Sequence, residues 1–489
     1  MSKKIYADQN QVFLFPENLE DWVPKNHEAR FIKEFVYSYM PEELGIIVRD
    51  GDTGRPPFCE RMLLSIWLYG SMNRIKSTRQ LEKLCRNDFG MVWLTGNNKP
   101  DHITIWRFFN ENIKAIKNVF KKSVQLAINM ELTGMVINAL DGTKIIADVR
   151  QKKDIHREDL CKVLKEMYGE KIGQKLDEIS EKEFDVYAKD VENAHKTDNG
   201  ADPRLPEKFA DPKRLRDEII GQLRQLDAAG TDHLNLTDPD ARMIKAGNGL
   251  GYNFNAQAMV DSANLIIVAN GVSQDAMDSR NLTPMLAEVA DTTGCFADVT
   301  LADSGYYSGV ELAKAEEMGA GVLVNEKPTP TTAKQTPTTR DAEKGDFSRE
   351  NFEYDGVHDE YHCPYGGVLV YKGKSFNRKK GSSNIIYSCQ AYTNCPFRDK
   401  CSPKRRRCIT VSEFKDAINR QREKQKKPEN KGILDRRRMI VEPVFGNIKH
   451  NMGFRRWTVR GIENVCGQWS LICLIVNLKK IYKTWAENI

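Results

Sequence analysis

From about Arg30 to Leu126 apolar residues recur at three- and four-residue spacing, the period of a helix with one buried face. The stretch RPPFCERMLLSIWLYGSMN begins on a proline pair and then carries such a stripe. STRQLEKLCRNDFGMVWL opens with Ser77 or Thr78, hydroxyls placed to cap free helix amides. PDHITIWRFFNENIKAIKNVFKKSVQLA starts at Pro100 and Asp101 and runs amphipathically. Short helices with polar turns predict a helix-turn-helix-like bundle. A helical domain without DNA contact fits the same pattern.

The period then changes. GMVINALDGTKIIADV is rich in β-branched and apolar residues and predicts one or two strands. A charged helical stretch follows from Lys152 to about Leu226 and reads as an insertion. GYNFNAQAMVDSANLIIVANGVS resumes the sheet pattern, as a hairpin turned at Ser262, Ala263 and Asn264. A helix is predicted at Asn281 to Ala290, and FADVTLADSGYYSGVELAKAEEMGAGVLVN reads strand, loop, helix, strand. The Pro- and Thr-rich stretch from Lys327 to Lys344 has no apolar period and reads as a flexible loop. Val465 to Leu478 is apolar but too short to span a membrane, and Gln468, Ser470 and Asn477 interrupt it, so it reads as a buried helix.

These elements predict an α/β fold in five parts. Residues 1–130 form a helical domain of DNA-binding type. Residues 131–152 and 227–325 form the first parts of an α/β core, split by the helical insertion 153–226. Residues 326–430 form a loop and a Cys-rich basic insertion. Residues 431–489 complete the core.

The charge is unevenly placed. The chain carries +6 overall, but Phe397 to Trp457 alone holds 19 Lys and Arg against 7 Asp and Glu. Concentrated positive charge suits a phosphate backbone, where each neutralised phosphate releases counterions. Met1 to Phe15 show no secretory pattern, and 11 scattered cysteines argue for a reducing compartment. The expectation is a cytoplasmic protein, at the nucleoid when bound to DNA.

Three acids stand out by context. Asp141 in NALDGTK and Asp303 in VTLADSGYYS lie at strand ends, and Glu442 lies in the basic stretch RRRMIVEPVFGNIKH. A strand holds such a backbone rigidly while the carboxylate faces a crevice. Carboxylates suit hard ions such as Mg²⁺ or Mn²⁺. Each acid taken alone also fits a solvated turn or cap, and Asp-Ser-Gly is ordinary turn chemistry. Asp148 and Asp261 are weaker candidates. Pro443, directly after Glu442, predicts that a helix starts there.

The contexts together resemble the DDE-type transposases of bacterial insertion sequences. LDGTKIIAD resembles the first catalytic block, LADSGYYS the second, and DRRRMIVEPVFGNIKHNMGFRRWTVRGIENVCGQWSLICLIVNLKKI the third. RMLLSIWLYG, STRQLEKLCRND and WLTGNNKPDHITIWRFF resemble the family's helical N-terminal domain. The resemblance implies an RNase H-like mixed sheet flanked by helices, with Asp141, Asp303 and Glu442 holding Mg²⁺ or Mn²⁺. It implies double-stranded DNA as partner, both element ends and target, and a homodimer in the DNA complex. It also implies a signature of Tyr, Arg, Glu and Lys, which Arg438, Glu442 and Lys449 fill; Asp435 stands at the tyrosine position. Arg438, Lys449, Arg455 and Arg456 are the expected DNA-backbone contacts. Trp457 reads as a core aromatic before a base-stacking one.

Cys363, Cys389, Cys395, Cys401 and Cys408 cluster in the same half. The first four form the likeliest set for a structural zinc, with His358 and His362 as extra ligands, although their gaps exceed the usual spacing. Free, partly buried thiols are the other reading. Two other functions fit the same residues: an RNase H-like nuclease that cuts without joining, and an inactive transposase-derived DNA-binding protein.

Overall fold

The computed structural model describes residues 18–49, 56–150, 153–168, 212–247, 249–326, 347, 349–377, 382–402 and 405–489. Most of the charged insertion and the Pro- and Thr-rich loop fall outside them.

Six strands build the central sheet: β1 (Ile137–Ile146), β4 (Arg242–Ala246), β5 (Gly249–Asp261), β6 (Ile267–Ser273), β7 (Val299–Ala302) and β8 (Val322–Val324). Their order is β4-β5-β1-β7-β8, with β6 also on β5. β5 is antiparallel to β1, β4 and β6, whereas β1, β7 and β8 run parallel. This is a mixed α/β sheet of RNase H-like order. The hairpin between β5 and β6 turns where the sequence predicts. Asp261 is fully buried there, and its carboxylate accepts from the amides of Gly134, Met135 and Ala263. It is a turn residue.

The N-terminal helices are α1 (Glu28–Tyr37), α2 (Glu60–Met72), α3 (Thr78–Asn87), α4 (Phe89–Thr95), α5 (His102–Asn112) and α6 (Ile116–Asn129). Asp88 and Asp101 cap α4 and α5 through Met91 N–H and Thr104 N–H. Ser77 precedes α3 without a side-chain cap. These helices do not keep a separate core: one hydrophobic cluster runs from Val23 to Ile481.

The long C-terminal helix, Ile462–Glu487, ties the parts together, lying against α6 and β6. Its polar residues have specific partners. The Asn477 side chain accepts from Ile267 N–H and donates to Ile267 C=O, both at 2.9 Å, so it satisfies an otherwise unpaired strand edge. Ser470 reaches Asn270, and Trp469 Nε1 donates to Gln257 C=O. Among the described residues no helix is long and apolar enough to cross a membrane.

Two smaller units interrupt the core. β2 (Asp154–His156) and β3 (His233–Asn235) pair antiparallel beside α7 (Arg157–Tyr168) and α8 (Pro212–Ala229). Ile155, Leu164, Ile219, Leu223, Leu226 and Leu234 form their own core. The insertion therefore closes at Asn235, nine residues beyond the boundary at 226 read from the sequence. The second unit is an antiparallel sheet of β9 (Glu353–Asp355), β10 (Glu360–His362), β11 (Val368–Asn377), β12 (Ser382–Cys389) and β13 (Cys408–Ser412).

Candidate active site

β1 and β7 pair in parallel, with Ala139 opposite Leu301. Asp303 directly follows β7 and is close enough to Asp141 for its charge to be felt there. Asp303 ends its strand, and its Oδ1 accepts from Gly305 N–H at 2.8 Å. Asp303 stands at the end of its strand as expected, whereas Asp141 lies in the middle of β1, which continues through Gly142 to Ile146 because β5 pairs with it along that whole length. Burial pushes the Asp141 carboxyl above its usual range; the Arg437 guanidinium and the Gly142 amide pull it down, and the charge of Asp303 pushes it up again.

Helix Pro428–Gly446 supplies Arg437, whose Nη1 is 3.0 Å from Asp141 Oδ2. The helix does not begin at Pro443, as the sequence suggested. It runs through Pro443, and Ile440, Val441, Val444 and Phe445 on either side are buried. Burying four large apolar side chains, at about 1.5–3 kcal/mol each, outweighs the roughly 3 kcal/mol cost of an interior proline. A π-helical turn, Asn447–Asn451, follows.

Glu442 lies on this helix but about 140° around it from Arg437. Its side chain is 65% exposed and its nearest ionic partner is Arg438 at 4.0 Å. The three expected metal ligands do not close into one ligand-spaced cluster. Among the described residues the triple that does is Asp355, Glu360 and His362, in the second inserted unit, with ligand atoms all within 4.8 Å of one another.

Gly142 and Lys144 alternate with Asp141 along β1 and face the other side of the sheet. There Asp278 accepts from Lys144 Nζ at 2.8 Å, Asn255 Nδ2 at 2.7 Å and Gln257 Nε2 at 2.9 Å. A Cβ on Gly142 would stand 2.3 Å from Gln257 Nε2 and 2.8 Å from Asp278 Oδ1, so any side chain there would push these two groups out of their hydrogen bonds. Tyr306 is fully buried and its hydroxyl bonds Gln257 Oε1. Burial, then the charges of Asp278, Asp141 and Asp303, hold that hydroxyl well above its usual pKa, and so protonated. Neither Asp278 nor Arg437 stands out in the sequence reading. Asp278 sits in an unremarkable polar loop. Arg437 did leave a signal: it occupies the apolar stripe of Val441, Val444 and Ile448, where a charge needs a partner.

The segment after the helix is stitched to the end of β1. Trp457 N–H donates to Ile146 C=O at 2.9 Å, and Ile146 bridges Arg456. Trp457 is 1% exposed and packs edge-on to Phe254, Phe454 and Trp469, a core residue. This stitch brings Lys449, His450, Arg455 and Arg456 into a cleft of about 1170 Å³ whose other basic side chains are Lys144, Arg150 and Lys153. Lys449 is close enough to Asp141 to be attracted by it, although burial lowers the lysine's pKa more strongly. Arg438 lies outside the cleft lining, 77% exposed. Asp148 pairs with Arg460 at 2.8 Å.

The sheet thus carries Asp141 and Asp303 close together, and a basic cleft opens beside β1. Two family models match the chain: Transposase DDE domain over residues 362–482, and Transposase domain (DUF772) over residues 17–111. Both matches are consistent with an insertion-sequence transposase of the DDE type. No curated protein matches it.

Proposed function

We propose that this chain cleaves DNA at the ends of an insertion sequence and joins the freed ends to target DNA. What supports the reading is the closeness of Asp141 and Asp303, together with Lys449, which lines the basic cleft and is near enough to Asp141 to feel its charge. The donor set fits a divalent ion in that both neighbouring groups are carboxylates, and the ion would take the place of the Arg437 guanidinium now on Asp141. Asp141 and Asp303 would hold Mg²⁺ or Mn²⁺, with Glu442 as the third carboxylate of the set. A divalent ion at this position supplies the Lewis acidity that activates the attacking oxygen and offsets phosphate charge.

In the first step a water oxygen attacks phosphorus, and the 3′ oxygen of the element leaves as a hydroxyl. In the second, that hydroxyl attacks a target phosphodiester in line and displaces the target's own 3′ oxygen. One phosphodiester is made as one is broken, so no external energy source is needed. The basic residues hold the backbone phosphates, and Tyr306, Gln257 and Asp278 keep β1 and the turn after β7 in place. Joining two ends calls for two copies of the chain on the DNA.

The test incubates the full chain, and an Asp303→Asn variant, with labelled element-end DNA and a target plasmid in Mg²⁺. Metal-dependent nicking and joined products, absent in the variant, support the proposal. Cleavage without joining makes the protein a nuclease. Identical binding by both proteins with no chemistry leaves a DNA-binding protein.

A further inference from the structure

The sheet of β9 to β13 has too little core for its size. Phe352, Leu369, Tyr387, Ile409 and Val411 are its buried hydrophobic residues. Units of this scale commonly need a disulfide or a metal. All eleven cysteines of the chain are free thiols.

Four of those thiols converge at one end of this sheet. Cys389 is the last residue of β12, and Cys363 directly follows β10. β11 lies between them, with Leu369 opposite both Tyr361 and Cys389. Cys395 and Cys401 lie on the turn and short helix just after β12. Two of the cysteines open turns of the same make, Cys363-Pro364-Tyr365 and Cys395-Pro396-Phe397. The aromatic residues of these turns pack together, with Tyr365 and Phe397 ring centres 4.2 Å apart and Phe347 stacked on Tyr365 at 5.0 Å. The two turns are therefore locked face to face. Gly366 closes the first, with φ +81° and its N–H on Cys363 C=O.

We propose that Cys363, Cys389, Cys395 and Cys401 bind one structural zinc ion. Four thiolates match the closed tetrahedral site of a structural zinc. All four are half-buried, as ligands of an enclosed ion should be, whereas Cys408 is exposed and bonds Ser388. The surroundings also suit the charge. A zinc with four thiolates carries two net negative charges; Arg407 lies near Cys401, and Arg406 near Cys389. The Ala391 N–H points at the Cys389 sulfur, the kind of donor that steadies a metal-bound thiolate. Cys401 is close enough to the other three that each would raise the cost of ionising it. No three of the sulfurs lie within 4.8 Å of one another, so closing the site requires χ1 rotation of the cysteines. The zinc would brace the unit from which β13 leads into the helix Lys415–Lys426 and then to the helix bearing Arg437 and Glu442.

The test takes the full chain, washed with a mild chelator to strip carboxylate-held ions, and measures zinc by mass spectrometry. One zinc per chain is expected, released by an organomercurial that titrates thiols. Replacing it with cobalt(II) should give a thiolate charge-transfer band and tetrahedral d–d absorption, a readout that needs no variant. Cys401→Ser should lose the ion, while Cys408→Ser and the pair Asp355→Ala, His362→Ala should keep it. A chain with no zinc and free or disulfide-bonded thiols overturns the proposal. So does cobalt without a thiolate band, or loss of the ion in the Asp355 and His362 pair.

Discussion

Arg437 Nη1 sits 3.0 Å from Asp141 Oδ2, and the side chains are only 11% and 23% exposed. The helix Pro428–Gly446 therefore meets β1 through an ion pair at the proposed metal position. Removing one partner of a largely buried pair leaves an uncompensated charge. Arg437→Met should lower stability by about 2–3 kcal/mol, somewhat under the usual figure because Asp141 keeps some water contact. A divalent ion at Asp141 and Asp303 should take over part of that compensation. Urea denaturation with chelator and with Mn²⁺ measures both effects. A gap unaltered by Mn²⁺ would mean that the ion binds elsewhere.

The cleft residues give a prediction read in salt. Each phosphate contact contributes about one unit to the slope of log K against log salt. Lys449→Ala and Arg455→Ala should each weaken binding to any duplex and flatten that slope by about one. Arg420→Ala is the control, because Arg420 is held by Glu316 at 2.6 Å. If Arg420→Ala flattens the slope as much, DNA does not follow the cleft.

The pattern of the chain made part of this legible. Asp303 is legible at its strand end because an apolar run closed by a Gly-containing turn is a local feature, whereas Asp141, read as a strand end too, lies inside β1 because β5 extends the pairing to Ile146. The N-terminal helices were found because their stripes and the Asp101 cap are local too. What escaped depends on distant packing. Pro443 reads as a helix start until Ile440, Val441 and Val444 are seen to be buried. Asp278 reads as a solvated turn until Lys144, Asn255 and Gln257 converge on it from other strands. The three residues of β3 carry too short a pattern to betray their pairing with β2.

Asp278 should behave as a support for the aspartate pair. Asp278→Ala strands the Lys144 ammonium and two amide donors, and should cost about 2–4 kcal/mol through unsatisfied polar groups. Asp278→Asn keeps acceptor capacity and should cost less than half as much. Thermal unfolding of both variants, alongside DNA cleavage by the milder one, checks this. Equal, negligible losses would show that Lys144, Asn255 and Gln257 hold their places without it.

The two helical glycines Gly446 and Gly467 should respond oppositely to alanine. A Cβ on Gly446 meets nothing within 4 Å. Alanine there should stabilise by about 0.5–1 kcal/mol, because glycine loses more backbone freedom on folding. A Cβ on Gly467 would stand 2.4 Å from Ile113 C=O and 2.5 Å from Ile113 Cγ1. Backbone cannot turn aside as a side chain can, so the C-terminal helix must move away from the loop between α5 and α6. Gly467→Ala should cost about 1–3 kcal/mol, the scale of overpacking in a filled interior. The comparison is made by denaturant midpoint. A Gly467→Ala protein as stable as the parent would mean that the C-terminal helix is not seated on the N-terminal helices at this point. The single core that spans the chain would then divide there.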